Sequence, residues 1–305
     1  LQLDGAYDRP LPYESMRIHA FYDRANKILN LREASIDTGE VQINVTSLAT
    51  ITDDVIDAPF VIEIPKLAQE DIGPIWPDAL RGEGAEEWLV QRLSKGSFED
   101  LYLSFDLLAS AVPPPENAED DFAYEQEWSV DVRNIMADFD IHSMDIDYRS
   151  PLAPVTKASG TGHFEKDVLE IAIKEANLLD LDVKNGLVSL DKIIEGDGHA
   201  NIALEVGGSL PTVFKYIASE PLALDEEKIG LDTKAVKGRA DLGINISFPT
   251  VKDFPEDQLK VVVEGKLSEV SLPDVVKDLD LAGGPFNVDI RSGKVTIDGN
   301  GKLEG

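Results

Sequence analysis

Cysteine is absent from the 305 residues. Its absence removes disulfides, thiolate zinc sites, iron–sulfur clusters and thiol nucleophiles together. A chain that crosses an oxidising compartment avoids mispaired thiols by having none, which favours a periplasmic or extracellular address. Positive charge is scarce. The 28 Lys and Arg stand against 58 Asp and Glu, a formal net charge of −30. Nucleic-acid backbones need Lys and Arg to replace their counterions, so no nucleic-acid partner is expected. A polybasic grip on anionic lipid headgroups is excluded on the same ground. No apolar run approaches the ~18 residues of a membrane span. No signal peptide opens the chain, whose first residue is Leu1 in an alternating stretch. The chain therefore reads as an internal piece of a longer polypeptide, with any anchor or signal outside it.

Histidine is sparse too. His19, His142, His163 and His199 fall in no HxH, HExxH or HxxxH spacing, so no metal-ligand pair is visible. There is no Gly-rich phosphate loop before a helix and no GxSxG elbow. Asp298-Gly299-Asn300-Gly301 and Gly196-Asp197-Gly198 look like calcium-loop fragments, but neither continues to the Glu that an EF-hand needs. Both read as hairpin turns. The expectation is a chain that is not an enzyme and carries no metal and no cofactor.

What is present is alternation. The apolar fraction of 43 % is enough for a core. Apolar residues recur at every second position in Val41, Ile43, Val45 and in Ile135, Ala137, Phe139, Ile141. The pattern repeats in Leu242, Ile244, Ile246, Phe248, in Leu259, Val261, Val263, and in Val288, Ile290 and Val295, Ile297. This is the strand period, with one face dry and one wet, which is the antiparallel habit. Turn residues punctuate the runs at Lys184-Asn185-Gly186, Gly196–Gly198, Arg291-Ser292-Gly293 and Asp298–Gly301.

Helices are few. One is expected from Gly84 to Gly96, with Ala85, Trp88, Leu89 and Leu93 on one face against the sheet and Glu86, Glu87 and Gln91 toward water. Short Pro-started helices are expected at Pro211–Ser219 and Pro273–Leu279. The fold class is mainly β: a long, twisted antiparallel sheet curved into an apolar trough, with a few short helices. About 18–22 strands of seven or eight residues would fit. The segments are 1–68 as β, 69–96 as a helical insertion, 97–155 as β with an acidic loop at 113–121, and 156–305 as a hairpin array. The alternation also fits a closed β-sandwich, since a lipid groove and a core use the same side chains.

One segment narrows the choice. Ile75-Trp76-Pro77-Asp78-Ala79-Leu80, Gly84, Trp88-Leu89, Leu93 and Gly96-Ser97-Phe98 resemble the Trp-Pro … Trp-Leu … Gly signature of bacterial AsmA-like proteins of the YhdP type. The later half is similar to the same group in Pro151-Leu152, Pro154-Val155-Thr156, Gly160-x-Gly162, Gly208-x-Leu210, Pro221-Leu222, Gly230-Leu231-Asp232, Val236-Lys237-Gly238-x-Ala240 and Leu272–Val276. The resemblance implies a periplasmic protein whose full length is anchored in the inner membrane. It implies an elongated β groove passing phospholipid between inner and outer membranes, with membrane-protein partners bound by other parts of the chain. TamB, of the same broad set, is linked to outer-membrane protein assembly.

Under that reading the phospholipid-facing residues are Leu169, Ile171, Ile173, Leu179, Leu181, Val183, Ile202, Leu204 and Val206, on consecutive candidate strands. Trp76, Trp88, Leu89 and Leu93 would form a helical lid or end cap. The competing readings are a β-sandwich array acting as adhesin or scaffold, and a chaperone-like surface for β-barrel precursors working through exposed sheet edges.

Overall fold

The computed structural model describes residues 7–8, 10–78, 81–82, 86–113, 127–148, 151–194, 196–217, 219, 235–251, 255, 258–276, 279–291 and 294–304. The chain opens with β1 (Ser15–Asp23), β2 (Ile28–Asp37), β3 (Gln42–Ile51) and β4 (Val55–Ala68). A helix α1 (Gln69–Ile75), a π-helical turn (Glu87–Arg92) and the two-residue β5 (Leu93–Ser94) follow. Then come β6 (Ser97–Ala111), β7 (Trp128–Ile146), β8 (Val155–Glu165), β9 (Val168–Leu178), β10 (Leu181–Asp191) and β11 (His199–Ser209). Helix α2 (Leu210–Ile217) precedes β12 (Lys237–Pro249), β13 (Lys260–Val276), β14 (Leu279–Arg291) and β15 (Lys294–Glu304). The fifteen strands among the described residues join one sheet that runs from β1 to β15 without closing, each strand beside its sequence neighbour, except that β5 pairs with β7. The mainly antiparallel β class is therefore observed. The strands are fewer than 18–22 because they are longer than seven or eight residues, reaching 19 in β7.

The chain divides into two compact units, the first comprising Leu1–Glu86, Phe98–Asp140 and His163–Lys166. Here period-2 alternation places like with like across the ladder: Ile36 faces Ile43, Ala34 faces Val45, and Val45 faces Ile62. Phe60 stacks on Phe105 at 5.4 Å between ring centroids. Phe98 meets Phe139 edge-on at 5.3 Å.

The second unit comprises Glu87–Ser97, Ile141–Gly162 and Asp167–Gly305. Its core lies on one face of β8–β14. One cluster gathers Ala158, Ala176, Leu181, Val183 and Val206, and a larger one is built around Ala240, Leu242, Leu267, Val270, Leu272, Phe286 and Val288. Val213 of α2 packs against both. Helix α2 fills most of the expected Pro211–Ser219 helix, with Pro211 in its first turn, where a missing N–H costs nothing.

Three expectations are corrected. No helix spans Pro273–Leu279: β13 runs to Val276 and pairs with β14, with Leu272 opposite Leu281 and Val276 opposite Leu279. Lys184-Asn185-Gly186 is not a turn but lies inside β10, where the register against β11 shifts between Val183 and Asn185. The hairpin turn is at Leu179 and Asp180 instead, with Leu179 at φ 59°. Asp298-Gly299-Asn300-Gly301 likewise lies inside β15. A Cβ at Gly299 would stand 2.8 Å from the Phe286 ring, and one at Gly301 2.7 Å. These glycines make room for a buried aromatic rather than a bend.

Several expectations fall outside the described residues: Ala79-Leu80, the helix start at Gly84 and Ala85, the acidic loop beyond Pro113, Pro221-Leu222, Gly230-Leu231-Asp232 and Ser292-Gly293.

Candidate functional site

In an antiparallel ladder, paired residues share a face, so the register defines rows that cross the strands. Ile171 pairs with Val188, Val188 with Ile202, Ile202 with Ile246, and Ile246 with Val261. The next row is Ile173, Gly186, Leu204, Ile244, Val263, Ile290 and Val295. The one after is Ala176, Val183, Val206, Leu242, Gly265, Val288 and Ile297. Beyond Ile171, Leu169 pairs with Leu190, Leu190 with Ala200, and Ala200 with Phe248. The side chains in these rows are aliphatic or aromatic throughout. The opposite face carries Glu170, Asp182, Glu205, Asp241, Glu264 and Asp289, with Lys184 bridging to Asp241 at 2.6 Å.

Eight of the nine sequence-selected residues lie on this apolar face. Leu179 does not: it occupies the β9–β10 turn and is 42 % exposed. Val188 and Leu190 belong to the face and were missed. The shift at Lys184 moves the apolar parity of β10 from 181 and 183 to 186, 188 and 190. In β9 it moves from 169, 171 and 173 to 176 and 178 over the same step. The even spacing of Gly186, Val188 and Leu190 after Lys184-Asn185 is the sequence signal for it.

Burial is uneven along the strands. Val183, Val206, Leu242 and Val288 are buried, while Ile171, Val188, Ile202, Ile246, Leu204 and Ile244 remain half-buried. The buried side lies under α2. The hydroxyl of Ser209 accepts a hydrogen bond from the Thr212 N–H at 3.3 Å and so caps the helix start. At the other end the Tyr216 and Tyr148 hydroxyls bond to each other. Burial pushes both phenols up from their ordinary values, so both stay neutral donors and acceptors.

The expected lid is placed differently. Trp76 is extended, at φ −64° and ψ 128°, as a residue before Pro requires. The segment around Trp88 is a π-helical turn, in which Arg92 pairs with Glu87 five residues back at 2.7 Å. That winding breaks the expected stripe. Trp88 is 50 % exposed, so it does not face the sheet, and Leu89 is half-buried. Leu93 leaves the helix for β5 and pairs with Ile146. Next to it, Lys95 donates to Asp145 at 2.7 Å and the Lys157 N–H donates to the other carboxylate oxygen at 3.0 Å. Burial alone would raise the Asp145 pKa, but these two bonds outweigh it and hold the carboxyl below the ordinary range.

The chain matches the YhdP protein family over residues 1–303. It belongs to that family. No curated protein and no solved structure matches it. Within this YhdP-family chain, no helix among the described residues is long and apolar enough to cross a membrane. The resemblance carried by the Trp-Pro and Trp-Leu segment is thus a membership that covers nearly the whole sequence.

Proposed function

We propose that this chain is a non-enzymatic segment of a periplasmic lipid bridge, holding phospholipid acyl chains on the apolar face of its sheet between the inner and outer membranes. The observation that carries the reading is that two of the apolar rows, those of Ile171 and Ile173, are buried at no position from β9 to β13. Moving an acyl chain through water costs ~0.8 kcal/mol per CH₂, so a transfer path needs a continuous apolar lining. A one-sided antiparallel sheet supplies that lining by adding hairpins. Contiguous exposed apolar surface is rare on proteins without a ligand or partner for it. YhdP-family membership supports the assignment. The high negative charge suits capture through acyl chains rather than through phosphate.

The test is lipid retention by the intact protein. Native mass spectrometry of the wild type should show bound phospholipid. Ile171→Asp and Leu204→Asp should keep the fold, because a half-exposed carboxylate stays hydrated, and should lose the lipid. Val206→Asp should unfold the protein, because it buries an unpaired charge. A wild type that never carries phospholipid, with Ile171→Asp and Leu204→Asp both unfolding, would instead support a closed scaffold.

A further inference from the structure

The apolar face of the second unit is two strips. The rows through Ile171 and through Ile173 lie on one side, and the row through Val183 on the other, one step along each strand. Between them burial changes abruptly. Ile202 and Leu204 of β11 are half-buried and Val206 is buried; Ile246 and Ile244 of β12 are half-buried and Leu242 is buried. The same step occurs in β14, from half-buried Ile290 to buried Val288. Over β11 and β12 the buried strip lies against α2: Val213 packs against both clusters that contain Val206 and Leu242, and Phe214 against the larger one. The helix is held at both ends, by the Ser209 cap and by the Tyr148–Tyr216 bond.

We infer that α2 marks the side boundary of the acyl-binding surface, so that acyl chains occupy only the strip made by the rows of Ile171 and Ile173, beyond which Ala200 is again buried, and run across the strands from β9 to β13. This rests on the lipid-bridge reading above and specifies where on the face the lipid lies. The direction follows from the geometry. Two rows two residues apart make the strip about 7 Å wide along the strands, while five strands at ~4.8 Å spacing make it roughly 20 Å long across them. An alkyl chain lying along a strand would meet α2. Lying across the strands, it meets aliphatic side chains at every step. The occupant is an acyl chain rather than a protein surface because the strip offers no polar side chain. Protein interfaces carry about one hydrogen bond per 100–200 Å².

Vesicles of phosphatidylethanolamine with a photoactivatable diazirine on the acyl chain provide the probe. The intact wild-type protein is incubated with them and irradiated, and the adducts are located by peptide mass spectrometry. Adducts on Ile171, Val188, Ile202 and Ile246, with none on Val183, Val206 or Leu242, are the expected result. In Phe214→Ala, which loosens α2, adducts should spread to Val206 and Leu242. Wild-type adducts on the buried strip or on α2 itself would overturn the boundary while leaving lipid binding intact, as would a Phe214→Ala pattern identical to wild type. Absence of adducts from the whole apolar face would overturn the lipid-bridge reading together with it.

Discussion

Gly96 turns the chain from β5 into β6 at φ 66°, where a Cβ would stand 2.4 Å from the His142 carbonyl oxygen. The sequence reading ends its expected helix at Gly96, and a helix end also favours positive φ at Gly, so the residue was legible while its context was not. Gly96→Ala should lower stability by about 2 kcal/mol or more, from left-handed backbone and close contact together, read as a shifted denaturant midpoint. Asp145 stands close by, its side chain 12 % exposed. Its depressed pKa makes the carboxylate a source of stability that is present above the ordinary value of ~3.9 and lost as pH falls through the folded value. Asp145→Asn should therefore cost on the order of 1 kcal/mol at neutral pH. The gap between variant and wild type should close once pH falls below the carboxylate range. Melting temperatures of both proteins from neutral to acid pH check the sign. A gap that widened on acidification would contradict it.

At the scale of elements, the strands were visible because one face of the sheet is dry and the other wet, and period-2 alternation follows from that directly. Interruptions of the period were not visible. Lys184-Asn185-Gly186 and Asp298–Gly301 have turn composition, yet both lie in paired strands, the first between β9 and β11 and the second against β14 at the sheet's edge. A bulge and a turn draw on the same residues, and only strand pairing distinguishes them. The same ambiguity hid Val188 and Leu190 from the candidate site. The Pro273 helix failed because its apolar residues serve the β13–β14 ladder, and tertiary pairing overrode a local start signal. The Trp88 helix kept its position but changed its winding, which rotated the tryptophan toward water. Helix α2 was legible from Pro211 at its start, and its cap makes a prediction. Ser209→Ala should destabilise α2 by about 1 kcal/mol. Hydrogen exchange should rise first in the amides of Thr212 to Phe214, ahead of those in β11 and β12. Uniform acceleration across the unit would mean that the helix and the sheet open together.

At the scale of the molecule, charge of one sign sets the conditions under which the fold holds. Carboxylates exceed cations by 30, and several of the ion pairs join exposed partners, such as Lys184–Asp241 and Lys27–Asp53. Exposed pairs contribute ~0–1 kcal/mol each and weaken with salt. Repulsion among the surplus carboxylates also weakens with salt, and it acts over the whole surface. From ~0.01 M to ~0.15 M ionic strength the screening length falls from ~30 Å to ~8 Å. Repulsion between carboxylates spaced across several strands lies within the first range and largely outside the second. The melting temperature should therefore rise with sodium chloride over this interval, before salting-out effects enter. The rise should be smaller at a pH near 4, where part of the surplus charge is already protonated. A fall in melting temperature on adding salt would show that the paired charges, the Lys95–Asp145 contact among them, contribute more to stability than the unpaired majority costs.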